Sequence, residues 1–597
     1  LKAGLLAFGT LIWAMPAAAA QTNAPDPLAP LPTAPASAPT IVTPPSPSST
    51  APVAAQPAPP PTPTVAVPKD WRGVFDAIDS GNWASARAGI AALPPNILTP
   101  VAKAELYTAK GSPVVDIASL QALIAEAPEL PQANQLGLMA IKRGATTTPL
   151  VVSERATVNL GSAPVRYRAR PVAGEPTADA LRIALDPLVK ANDAAGAEAQ
   201  LLTLGPQLSV EARAEAGQRV AWIYYALGLD LDARRVAETW RQGATGEWAS
   251  QAAWVSGLSS WRLGDCESAS RAFQQVAQLA PQRELRAGGY YWAARSEQAC
   301  RRPRSVEPLL RAAANTAEAS ESFYGLLARE SLGMDTKLPA DPHVQRDPPV
   351  DHLPNVKRAI ELAKIGEIGL AEEMLRHQAK IGSPAEHHAL IQLAKRIDLP
   401  GAQLWLANNG QPGAISDAAD RYPNPRWTPV NGWRVDPALA YGHIVQESAF
   451  RRTAVSTAGA VGLMQVLPVT AQLVSRNRGV PYSNGALTNP SYNLEFGQSF
   501  IEMMRGSSST GGQLPRVIAS YNAGPLPVAR WWTINDKGDP LLWIESIPYY
   551  ETRYYVPAVL RNMWVYQGLN HEGTPTLKAM VEHRWPSFPT GMTQLNH

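Results

Sequence analysis

The stretch YGHIVQESAFRRTAVSTAGAVGLMQ, Tyr441 to Gln465, decides how the rest of the chain is read. Just before it, Asp436 and Pro437 predict a helix start, because an aspartate accepts from the free first-turn amides and proline tolerates the first helical position. Ala440, Ile444 and Ser448 then share one side with Tyr441 and Val445. Glu447 falls three residues after Ile444, on the rim of that apolar stripe. A loop of small residues follows. The carboxylate has two readings, an exposed group at a helix end or a partly desolvated acid whose raised pKa lets it hold a proton at neutral pH. His443, one turn earlier, reads as a structural helix residue rather than a second acid.

At 597 residues the chain is long enough for three or four folded units. A 45% apolar and 17% charged composition is that of a globular protein, with 56 prolines as the outlier. Net charge is +3, and the densest basic cluster, Arg301, Arg302 and Arg304, is short and lacks interleaved aromatics, so nucleic acid is not an expected partner. Lys2, an apolar run from Ala3 to Ala14 and the small-residue stretch MPAAAAQ have the order of a secretory signal, so residues 1–20 are expected to be removed. The run is too short to span a bilayer. An exported, soluble protein without a transmembrane anchor is expected. Residues 21–70 follow as a tether in which about one residue in three, as far as Pro68, is proline. Such a segment buries too little surface to fold.

From Trp71 onward, Ala, Leu and Arg recur at helical spacing between proline-containing corners such as LPPN and APELPQ. A short signature repeats there: Gly81 with Ala86, Gly228 with Ala233, Gly264 with Ala269, and Gly366 with Ala371. Glycine suits the left-handed turn that ends one helix, and a small alanine lets the next helix approach closely. The pattern predicts stacked helix pairs, an α-solenoid without a strict period, with isolated hairpins in a compact bundle as the alternative. The expected division is a superhelical domain over 71–340, a helical linker domain over 341–425, a catalytic domain over 426–580 and a tail over 581–597. The two cysteines, Cys266 and Cys300, are separated by the length of one helical hairpin. They are read either as a disulfide of an oxidising compartment or as two buried free thiols.

Three further segments accompany Glu447: STAGAVGLMQVLPVTA (Ser456–Ala471), ASYNAGP (Ala519–Pro525) and IESIPYYETRYYV (Ile544–Val556). Alone, each is an ordinary turn or helix start. In this order, together with NPSYNLEFG, they resemble the catalytic domain of the soluble lytic transglycosylases. SFYGLLARESLG and YPNPRW extend the likeness upstream. The resemblance implies an all-α fold, in which an α-superhelical, solenoid-like region carries a goose-lysozyme-like helical catalytic domain.

It also implies a site. Glu447 falls on the catalytic acid, and Ser448, Ser456, Gln465, Leu467, Tyr521, Asn522 and Glu551 fall on substrate-binding positions. Tyr521 is expected to orient Glu447 or a substrate acetamido group, while Gln465 and Asn522 donate to sugar groups. Glu551 is read as a substrate contact or as a surface residue paired with Arg553. Ser520 replaces the family's usual alanine, and Leu467 a common methionine of similar volume. The implied activity is non-hydrolytic cleavage of the MurNAc–GlcNAc β-1,4 bond of peptidoglycan in the periplasm, leaving 1,6-anhydro ends. No cofactor is implied, and no Cys/His cluster has metal-ligand spacing. The expected partners are glycan strands, with cell-wall synthesis or remodelling enzymes as further candidates for the superhelix. A lysozyme-like hydrolase and a non-catalytic wall-binding scaffold are the competing readings.

Overall fold

Gly81, Gly228, Gly264 and Gly366 all take positive φ, between 72° and 90°, and Ala86, Ala233, Ala269 and Ala371 are all fully buried. The repeated signature therefore works as its chemistry demands: the glycine turns the chain, and the alanine lets the following helix close onto the one before. The computed structural model describes residues 65–339 and 347–589. The expected signal peptide, the tether up to residue 64 and the end of the C-terminal tail lie outside these residues. Among the described residues the regular secondary structure is helical, apart from one antiparallel ribbon that pairs Val158–Asn159 with Asn409–Gly410. No helix among them is long and apolar enough to cross a membrane.

The cores are not laid out in sequence order. The first five helices, Trp71 to Lys142, share one core with the helices between Pro354 and Asn408, through residues such as Phe75, Leu120, Leu362 and Leu390. The helices from Pro176 to Ser331 share a second core with the helices between Pro437 and Val581. This revises the expected superhelix over 71–340 and separate linker over 341–425: the start of the superhelix packs with the linker helices. The physical reason is the segment between Arg143 and Glu175, which carries no helix and crosses from one core to the other.

Cys266 opens one helix and Cys300 caps the end of the next, which brings both to the same end of a hairpin. Their Cα atoms are 5.5 Å apart and the sulfurs are bonded.

The crossing segment is tied to the C-terminal part by a buried charge pair. Arg166 Nη1 lies 2.6 Å from Glu545 Oε2, and Tyr324 Oη donates to Glu545 Oε1 at 2.6 Å. The Arg166 guanidinium sits between the rings of Trp254 and Tyr554, 4.9 and 4.7 Å from their centroids. Arg553 is held just as firmly: it stacks over Trp222 at 3.6 Å and donates to the Ile547 carbonyl at 2.9 Å. Phe323 stacks on Trp564, centroids 5.3 Å apart. Superhelix and C-terminal helices thus meet through aromatic and cation–π contacts as well as aliphatic packing.

Candidate active site

The helix Pro437–Glu447 begins as its sequence requires, with Asp436 Oδ1 accepting from Ala438 N at 2.8 Å. Its other oxygen accepts from Gln567 Nε2 at 2.8 Å, which fixes the helix start to the long helix Tyr550–Leu569. Midway along, Gly442 permits close backbone approach: a Cβ there would lie 3.0 Å from the Val559 carbonyl oxygen. Asn562 closes the contact by donating to the Gly442 carbonyl at 3.2 Å. These contacts bring Glu447, the last residue of its helix, against the first turns of the partner helix.

There Tyr555 Oη lies 2.5 Å from Glu447 Oε1. The same hydroxyl lies 2.7 Å from His443 Nδ1. Glu447 Oε2 has no hydrogen-bond partner among the described residues, and the residue keeps partial exposure, so this oxygen faces solvent. Burial pushes the Glu447 carboxyl up to about 8, against the opposing pull of the Tyr555 hydrogen bond, and the nearby Glu551 charge raises it further. At neutral pH such a carboxyl is an acid holding its proton. Burial also drives His443 down to about 3, which makes it a neutral imidazole.

Glu551 is one turn before Tyr555 and accepts from Asn522 Nδ2 at 3.2 Å, while Thr552 Oγ1 donates to Asn522 Oδ1 at 2.6 Å. Asn522 therefore clamps the helix start that carries Glu551. Burial raises Glu551, with Asn522 opposing. The surface pairing of Glu551 with Arg553 does not form, because Arg553 is stacked on Trp222 and bonded to backbone carbonyls.

The loop after Glu447 is tightly wound. Ala449, Phe450 and Gln465 all take positive φ, at 50°, 64° and 47°, a conformation disfavoured for side chains with a Cβ. Such strain clusters at functional sites, where the surroundings over-determine the backbone. The surroundings here centre on Asn493, fully buried. Its Oδ1 accepts from Met464 N at 2.7 Å, and its Nδ2 donates to Val461 O and Leu487 O. Gly462 is obligatory at this point, since a Cβ would lie 2.2 Å from the Leu487 carbonyl oxygen.

Several expected roles change. Ser448 is fully buried at the helix C-cap, with its hydroxyl turned back on the Ile444 carbonyl, so it is not placed to meet substrate. Gln465 spends both amide hydrogens on the carbonyls of Ala454 and Gly462, and so shapes the loop instead of donating to a sugar. Tyr521 donates to the Met464 carbonyl at 2.7 Å, and the tyrosine that reaches Glu447 is Tyr555. Ser456 is half-buried and accepts from Ala460 N at 3.0 Å, and Leu467, half-buried, precedes the helix Pro468–Arg478. Tyr555 and Asn493 were missed. The available signal for Tyr555 was its position four residues after Glu551, on the same helix face.

The metal expectation meets one observation. Among the described residues His388, Asp417 and Asp420 come within 4.8 Å of one another, remote in sequence from Glu447. Asp417 and Asp420 cap each other's turn and His388 lies 2.8 Å from Asp347, so the ligand atoms are occupied by internal contacts.

A lone proton-holding carboxyl at a helix end, steadied by a tyrosine and followed by a wound loop, sits on an all-α fold of superhelix plus lysozyme-like helical domain. That defines the class: residues 429–544 match the model of the transglycosylase SLT domain. Over these residues the chain carries a transglycosylase SLT domain, and it is similar to soluble lytic murein transglycosylases. It is 30% identical over 253 residues to the soluble lytic murein transglycosylase of Escherichia coli K12, covering 40% of this chain and 38% of that protein. It is 34% identical over 153 residues to the Salmonella typhimurium protein of the same name, covering 25% and 22%. The chain thus spans less than half the length of these soluble relatives. The fold is similar to that of lytic transglycosylase Slt from Pseudomonas aeruginosa, with TM-score 0.51 and 20% identity over 84% of this chain and 86% of that one. The 70-kDa soluble lytic transglycosylase of Escherichia coli also has TM-score 0.51, at 18% identity over 86% and 98%.

Proposed function

We propose that this protein cleaves the MurNAc–GlcNAc β-1,4 bond of peptidoglycan without water, using Glu447 first as acid and then as base. The observation that carries the reading is the asymmetry of the carboxyl: Oε1 is engaged by Tyr555, while Oε2 is open to solvent on a group whose burial keeps it protonated. Glu447 gives its proton to the glycosidic oxygen as the bond from that oxygen to the MurNAc C1 breaks. The leaving GlcNAc end departs as an alcohol. The substrate's acetamido oxygen shares the positive charge developing at C1, as in substrate-assisted glycosidases, which removes the need for a second protein carboxylate. The MurNAc 6-hydroxyl then bonds to C1 and returns its proton to Glu447, which closes the 1,6-anhydro ring and restores the enzyme. A hydroxyl on the same sugar outcompetes water through its high effective concentration.

Asn522 and Glu551, clamped together beside Glu447, are placed in this reading to contact the sugar or its peptide. Ser456 and Leu467 would line the other wall of the groove. Glycan strands are the partner, and the periplasm is the compartment that holds them.

The test is mass spectrometry of muropeptides released from purified peptidoglycan by the wild-type protein and by Glu447→Gln. Products one water lighter than their reducing counterparts, absent with the variant, are expected. Reducing-end products would make the enzyme a hydrolase, and binding without release by either protein would make it a scaffold.

A further inference from the structure

We infer that His443 is a positioning residue that sets the direction of the Tyr555 proton. Its Nδ1–H donates to Tyr555 Oη, Tyr555 donates to Glu447 Oε1, and the acidic proton of Glu447 is thereby confined to Oε2. The inference rests on the reading of Glu447 as acid and base.

The geometry leaves two arrangements. Tyr555 Oη lies between two groups, 2.7 Å from His443 Nδ1 and 2.5 Å from Glu447 Oε1, and has one hydrogen to give. If that hydrogen went to His443, then Oε1 would have to carry the carboxyl proton and spend it on Tyr555, leaving Oε2 with nothing for substrate. If it goes to Glu447, His443 must carry its own hydrogen on Nδ1. The far nitrogen decides between them. His443 is fully buried and its Nε2 has no hydrogen-bond partner among the described residues. A hydrogen on Nε2 would be an orphaned buried donor, which native proteins rarely tolerate, whereas a bare lone pair is the more tolerable deficit. A doubly protonated ring is excluded because burial keeps the imidazole neutral. The ring has little freedom to turn, with the Tyr521 ring 4.5 Å away and the Tyr555 ring 5.7 Å away, centroid to centroid.

The consequence is a chain of donors that polarise one another, so His443 strengthens the hydrogen bond that Tyr555 gives to Glu447. The titratable groups facing Glu447 are His443 on its own helix, Tyr521 on Leu514–Ala523, and Glu551 and Tyr555 on Tyr550–Leu569. The helix Pro490–Arg505, which also touches the Glu447 helix, directs Glu495 and Glu502 at Arg434 instead.

The experiment uses the full chain with selective ¹⁵N-histidine labelling, plus His443→Leu and His443→Asn assayed for muropeptide release across pH. The His443 signals should place the proton on Nδ1. His443→Leu should lower kcat about tenfold, the usual worth of one good hydrogen bond, with KM within about twofold. Its alkaline limb should move to higher pH, since a weaker donor stabilises the Glu447 carboxylate less. His443→Asn places an amide donor near the former Nδ1 and should recover kcat to within about threefold of wild type. A proton found on Nε2, an alkaline limb that moves down, an unchanged His443→Leu profile, or an asparagine variant no better than leucine would each overturn the inference. If wild type releases no anhydro products, the failure lies with the proposed reaction, and the histidine spectrum still decides the role of His443.

Discussion

Gly442 and Val559 are in backbone contact: a Cβ on Gly442 would stand 3.0 Å from the Val559 carbonyl oxygen and 3.3 Å from Met563 N. Both neighbours are main-chain atoms of one helix, so neither can swing aside. Gly442→Ala must push the Glu447 helix away from the Tyr555 helix. Overpacking of this kind costs about 1–3 kcal/mol. The larger effect is expected on turnover, because the displaced helix carries Glu447 away from Tyr555, and small misplacements of catalytic groups cost about 100-fold. Muropeptide release rates beside urea midpoints will separate the two, and a variant that loses stability with unchanged turnover would sink this account.

Tyr555→Phe keeps the ring and removes the hydroxyl that bridges His443 and Glu447. The hydrogen bond holds the Glu447 pKa down against burial, so its loss raises the pKa further. Protonation will then persist to higher pH, and the alkaline limb of kcat should shift upward. kcat itself should fall by about tenfold or more, because the carboxyl loses its fixed orientation. Rate against pH for both proteins is the measurement, and a downward shift would contradict the donor direction.

What could be read from the sequence follows the range of each interaction. The Gly-x₄-Ala signature was legible because a left-handed turn and a close helix approach are local demands, met within six residues. Asp436 and Pro437 announced the Glu447 helix for the same reason. Ser448 was placed by the motif beside Glu447, and the motif does not carry the packing that turns the capping serine inward. Tyr555 could not be paired with Glu447 from the chain, since the bond joins residues 108 apart and depends on how two helices cross. Glu545 lies in the segment Ile544–Val556, and its buried partner Arg166 comes from 379 residues upstream. The same distance in sequence hid the shared core of the first and the linker helices.

Glu447→Gln should be more stable than wild type at alkaline pH. The folded protein holds the Glu447 proton up to about pH 8, whereas the unfolded chain releases it near the ordinary value of 4.5. Between those values the native state binds more protons than the unfolded state, so this residue's contribution to stability falls as pH rises. Glutamine has no proton to lose. The melting temperature of the variant relative to wild type should therefore rise from pH 5 to pH 8, with little difference at the acid end. Equal melting temperatures across that range would show that the carboxyl is better solvated than its surroundings indicate.

Arg166→Ala tests whether the segment between the two cores is part of the framework that holds Glu447. The substitution strands Glu545, which is fully buried and keeps only the Tyr324 hydroxyl as partner. Breaking a buried pair from one side costs about 3–5 kcal/mol, because the remaining charge stays desolvated. Replacing both members, as Arg166→Met with Glu545→Gln, should cost less than Arg166→Ala alone, since no unpaired charge is left behind. Glu545 ends the short helix before Tyr550–Leu569, and Arg166 also covers the Tyr554 ring, next to Tyr555. Arg166→Ala should therefore reduce muropeptide release at temperatures where the protein remains folded, and the double variant should restore part of it. If the double variant proves as unstable as the single, the pair is not an isolated charge problem, and the cation–π contacts of Arg166 with Trp254 and Tyr554 carry the junction instead.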